Sequence, residues 1–164
     1  MVEGFKLLGL AEIPGPAHES RIVRMWQSIK APFRDDETPW CAAFVGHCLE
    51  SSALRSSRSA AARSYLAWGQ KLDAPVPGCV VVLNRPGSSW SGHVGFAVSR
   101  DDRGRIGLLG GNQGNRVSVA FFDPARVIGC RWPADAGPMW PAGSQPLPKA
   151  ASVALLDPTS ENEA

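Results

Sequence analysis

"GHVGFAVSRDDRGRIGLLGGNQGN", residues 92–115, reads as two strands that turn back on each other. "HVGFAVSR" and "RIGLLGG" are apolar runs of strand length, and the "DDRG" between them carries turn chemistry. A hairpin here makes the sheet antiparallel. Working outward, "CVVVLN" (79–84) follows the breakers Pro75, Pro77 and Gly78 as another strand. "VSVAFF" (117–122) and "VIGCRW" (127–132) supply a fourth and a fifth. Upstream the period changes. Ile22, Met25, Trp26 and Ile29 follow helical spacing and predict a helix over 19–30. A second helix is expected over 39–50, and "RSAAARSYLAWG" (58–69) reads as a third that ends at Gly69. Helices first and antiparallel strands after make the chain α+β.

A length of 164 residues suits one domain with one core. The net charge of +2, with no basic stripe interleaved with aromatics, argues against nucleic acid as the main target. No stretch approaches the ~20 apolar residues of a membrane span. "MVEGFKLLGLAEIPG" lacks a basic leader and carries Glu3, a poor secretory signal, so synthesis in the cytoplasm is expected. Cys41, Cys48, Cys79 and Cys130 contain no C-x-x-C pair and match no zinc spacing, so no metal or other cofactor is expected. On one helix, Cys41 and Cys48 lie about 10 Å apart along the axis. That is beyond disulfide reach, and reduced thiols are expected. After Trp132 the composition turns to Pro, Ala, Gly and Ser, which divides the chain into a domain, 1–132, and a mostly unstructured tail, 133–164.

Chemistry concentrates at "TPWCAAFV", 38–45. With Thr38 as N-cap and Pro39 at N1, Cys41 falls at N3 of the helix. There, unpaired N–H groups and the helix dipole favour a thiolate. The competing reading is a small core cysteine at a helix start. A thiolate nucleophile needs a base. His47 lies roughly 240° around the helix from Cys41 and points away. His18 sits in the Pro/Gly-rich "EIPGPAHES" as a solvated loop residue. His93 opens a strand whose alternation puts Val94, Phe96 and Val98 on the core face and His93 with Gly95 and Ala97 on the other. If Arg100 and Arg105 close the hairpin, paired positions sum to 205 and Asn112 stands opposite His93. Asn112 then accepts from Nδ1 and turns Nε2 to the thiol. A bulge at Gly110 or Gly111 flips the faces and makes Gln113 the orienting residue instead.

Three stretches in this order, "TPWCAAFV", "RPGSSWSGHVGF" and "LGGNQGN", resemble the NlpC-type and CHAP-type cysteine peptidases and amidases of bacterial peptidoglycan. They are most similar to the phage-associated wall hydrolases with a W-C-A-x-F-V nucleophile motif and a G-G-N-Q motif. The resemblance covers roughly 1–132. It implies a papain-like core, a nucleophile-bearing helix packed on an antiparallel sheet that carries the base. It also implies Cys41 as nucleophile, His93 as base and Asn112 as the polar third residue. Many CHAP relatives have a Glu two residues before that Asn, where this chain has Gly110. The implied activity is hydrolysis of an amide in the peptidoglycan peptide stem through an acyl-enzyme. An acyl transfer on the same Cys–His site and an idle wall-binding or phage-structural domain are the rivals. Trp40 and Trp90 are candidates to wall the cleft or to pack in the core, and Gln113 is a further candidate for substrate contact. Asp35 and Asp36 are read either as a contact for a cationic stem amine or as an exposed loop pair. Reaching the wall implies release by a holin, carriage on a phage tail or injection by a secretion system, with action in the periplasm.

Overall fold

A computed structural model of the chain describes residues 1–136 and 146–150. Three α-helices come first: α1 (Val2–Phe5), α2 (Ser20–Ser28) and α3 (Cys41–Ser51). Six strands follow, β1 (Gln70–Leu72), β2 (Val80–Asn84), β3 (Gly92–Arg100), β4 (Ile106–Gly110), β5 (Ser118–Phe122) and β6 (Val127–Trp132). They form one antiparallel sheet in the order β1-β6-β2-β3-β4-β5, so the α+β expectation holds. The five expected strands are all present, and β1 is an addition. Three polar-ended residues, "QKL", carry no alternation to read, and β1 exists only because β6 offers it a ladder.

Two expected helices differ. The one read over 58–69 is a 3-10 helix over Ala62–Ala67. Its expected first turn is lost because Arg58 takes φ 53, with its guanidinium drawn to Glu50 at the end of α3. The helix expected from 39 begins two residues later. Trp40 is its N-cap residue and Cys41 its first residue rather than its third, and the Thr38 N–H is taken by Asp35 Oδ1 at 2.6 Å.

Both faces of the sheet are buried. Val94, Phe96 and Val98 of β3 face the helices, where α3 lies between the sheet and Ile22, Met25 and Trp26 of α2. Phe44 of α3 meets Phe96 edge-on, ring centroids 6.3 Å apart. On the other face Val81, Leu83, Ala97, Leu108 and Phe122 form a second cluster that also takes in Leu147. Leu147 reaches it because the Arg100 N–H donates to Pro148 O at 2.8 Å and Lys149 bridges Arg100 in parallel fashion. Part of the segment expected to be a loose tail is therefore packed on the sheet. The rest of that expectation, 137–145 and 151–164, lies outside the described residues. Cys41, Cys48, Cys79 and Cys130 are free, buried thiols. Among the described residues no helix is long and apolar enough to cross a membrane.

Candidate active site

Cys41 opens α3 and is 7% exposed. Cys41 shares a buried cluster with Val94, and α3 packs on β3. Val94 is the residue after His93, so the helix tip abuts the strand that carries the imidazole. The electrostatics differ from the expectation of a thiol lowered by the helix terminus. Burial pushes the Cys41 thiol above its ordinary range; the Val94 and Ala42 N–H groups and the Arg85 charge oppose that push without overcoming it.

His93 is held from the far side. Its Nε2 lies 2.9 Å from Gln113 Oε1. The Gln113 amide nitrogen donates to three oxygens: Ser118 O at 2.8 Å, Ser118 Oγ at 3.1 Å and Leu108 O at 3.3 Å. With the NH2 group committed to these acceptors, the carbonyl oxygen must face His93 and can only accept. Nε2 is thus the protonated nitrogen of the neutral ring, and Nδ1 is the basic one. Gln113, the alternative partner, stands in place of Asn112 at the ring.

The backbone explains the replacement. Phe96↔Leu109 and Ala97↔Leu108 keep the anticipated sum of 205, with the register shift lying nearer the turn, between Ala97 and Ser99. But β4 ends at Gly110, and Asn112 enters the left-handed region with φ 58, so the ladder stops before it reaches His93. The Gln113 N–H then bonds Arg116 O at 3.0 Å, which returns its side chain under the sheet edge. Gln113 is 5% exposed, so its expected role in substrate contact gives way to contact with His93.

The two glycines before it have separate reasons. A Cβ on Gly110 would sit 2.7 Å from Gln113 Oε1 and 3.2 Å from His93 Nε2. A Cβ on Gly111 would overlap the Trp40 ring and sit 2.6 Å from the Phe44 Cβ. The first glycine makes room for the His–Gln pair and the second for the nucleophile's helix.

The remaining candidates separate. Trp40 is fully buried, with Nε1 donating to Glu12 Oε1 at 2.7 Å, and it walls no cleft. Trp90 is 82% exposed on the β2–β3 loop, three residues before His93. His47 points to α2, Nδ1 2.8 Å from Ser28 Oγ. Asp36 is not an exposed loop residue. It is buried, accepting from the Ile13 and Glu19 N–H groups at 3.0 and 2.9 Å and pairing with His18 Nδ1 at 2.9 Å. Ser118 and Glu12 were missed by sequence reasoning, because nothing in "RVSVAF" or "AEIPG" marks either as a partner of the motif residues. Among the described residues no group of three or more His, Cys, Asp or Glu is arranged to hold a metal ion.

The CHAP domain family matches residues 33–112, from the loop before α3 to the first residues after β4. The match takes in Cys41, His93 and Asn112 and stops one residue short of Gln113. No curated protein and no solved structure matches the chain. CHAP domains are generally cysteine/histidine amidases or peptidases. Over residues 33–112 the protein is CHAP-like, on an α+β scaffold compatible with a papain-like core.

Proposed function

We propose that the protein hydrolyses an amide bond in the peptide stem of peptidoglycan, with Cys41 as nucleophile, His93 as base and Gln113 as the residue that orients it. The observation that carries this reading is the packing of α3, which opens with Cys41, on β3, which carries His93, within the span that matches the CHAP domain family. Nδ1 takes the thiol proton, and the thiolate adds to the amide carbon. Backbone N–H groups at the start of α3 steady the oxyanion. The imidazolium then gives its proton to the leaving nitrogen, the C–N bond breaks and the acyl-enzyme forms. Water, deprotonated by the same nitrogen, adds to the thioester carbon. The carboxylate product leaves and the proton returns to sulfur. The exposed Trp90 ring beside β3 is the candidate platform for the stem or its sugar.

Intact sacculi incubated with the full-length protein test this. Soluble fragments carrying new amino termini are expected. Cys41→Ala and His93→Ala should each lower their release by about a thousand-fold or more. Intact sacculi with the wild-type protein, or release indifferent to Cys41→Ala, would overturn the reading. Fragment masses identify the bond.

A further inference from the structure

A cleft of about 330 Å³ opens between the N-terminal loop and the turn after β4. Ile13 and Pro14 form one wall and Gly114 part of the other, and the charged groups on its rim are Glu12, Glu37 and Arg116. Its walls are tied together at the base, where Ala11 bridges Arg116 and the Glu12 N–H donates to Asn115 O at 3.0 Å. The cleft touches the catalytic apparatus at two points. Glu12 accepts from Trp40, the neighbour of Cys41, and Gly114 directly follows Gln113.

The charges have no assignment within the fold. Glu12 commits Oε1 to Trp40, which leaves its second oxygen to the cleft. Burial pushes the Glu12 carboxyl up, with the Trp40 bond opposing and the charges of Asp36 and Glu37 adding to the rise; a cation in the cleft would relieve that crowding. Glu37 and Arg116 line the same opening and form no ion pair among the described residues. Opposite charges that share a rim without neutralising each other are complementary to a ligand carrying both signs close together. The volume is at the small end of the ~300–1,000 Å³ of ligand sites and suits one side chain.

We propose that this cleft binds the zwitterionic end of a diamino acid in the stem, its ammonium toward Glu12 and Glu37 and its carboxylate on Arg116. This rests on the amidase reading above and names the substrate class for the same site. A stem ending in diaminopimelate presents such an end. One ending in lysine presents the ammonium alone.

The test uses full-length Cys41→Ala protein, which lacks the nucleophile, titrated calorimetrically with two synthetic stem tripeptides. They differ only in their last residue, meso-diaminopimelate or L-lysine. The diaminopimelate peptide should bind about tenfold tighter, as expected for one charge-assisted contact. Adding Arg116→Gln should erase that preference, and adding Glu37→Gln should weaken both peptides. Equal affinities, a preference that survives Arg116→Gln, indifference to Glu37→Gln, or no binding of either peptide would each overturn the proposal. Its failure is distinct from failure of the hydrolase reading. In the first case sacculi are cut and the peptides are not discriminated; in the second, sacculi stay whole whatever the peptides do.

Discussion

At Gln113 three acceptors on one end of an amide determine which nitrogen of an imidazole is basic. Replacing it with alanine removes the Nε2 partner of His93 and leaves a buried cluster of acceptors without a donor. Gln113→Ala is expected to lower kcat on a soluble stem peptide by about a hundred-fold, the usual scale for misplacing a general base. It should also change the shape of the pH profile, which a purely structural defect leaves alone. Ser118→Ala should act in the same direction and more weakly, since two of the three acceptors are backbone carbonyls. The placement of Cys41 at a helix start and of His93 near a strand start was legible in the sequence. The orienting residue was legible only as a choice between Asn112 and Gln113, because the backbone angle at Asn112, φ 58, decides which side chain meets His93. Gly110 bears on the same point. A side chain there would collide with the amide that this chain sets against His93.

Among the elements, α3 is anchored at its end more firmly than at its start. Glu50 gathers Arg58 Nε at 2.9 Å, Ser56 Oγ at 2.9 Å and the Ser56 N–H at 3.1 Å. The Arg58 contact, against the opposing effect of burial and with the help of the Ser56 bonds, lowers its carboxyl to about 2. A carboxyl lowered on folding stabilises the protein above its ordinary range, and that contribution fades as the pH falls toward the folded value. Glu50→Gln should therefore cost about 1–2 kcal/mol in urea unfolding at pH 7, discounted because the pair keeps access to solvent, and almost nothing near pH 2. A deficit that is the same at both pH values would contradict this. The Glu50–Arg58 contact is also why "RSAAARSYLAW" misleads. Its alanines favour an α-helix, but Arg58 turns left-handed to reach Glu50, and Tyr65 must be buried beneath, which leaves a short 3-10 turn. The strands were easier to read, since their apolar runs are bounded by Gly and Pro.

Across the whole molecule, the sheet needs cover on both faces. The helices supply one, and Leu147 contributes to the other from beyond the expected domain end, with its strand-like neighbours bonded to Arg100. Composition hid this, because a lone leucine among prolines carries no period. Leu147→Ala is expected to lower the unfolding free energy by about 2 kcal/mol, as for a truncated core leucine, while leaving sacculus digestion unchanged under conditions where the protein is folded. An unchanged urea midpoint would show that the segment adds no stability. The site itself draws on segments far apart in the chain: Glu12 steadies Trp40, α3 brings the thiol, β3 the imidazole, and the turn after β4 the amide. The family match ends at Asn112, one residue before that amide and short of β5 and β6. A piece cut at the matched span, 33–112, would carry Cys41 and His93 away from Gln113 and leave behind β5 and β6, with the apolar cover that they give the sheet. The folding unit is wider than the matched span.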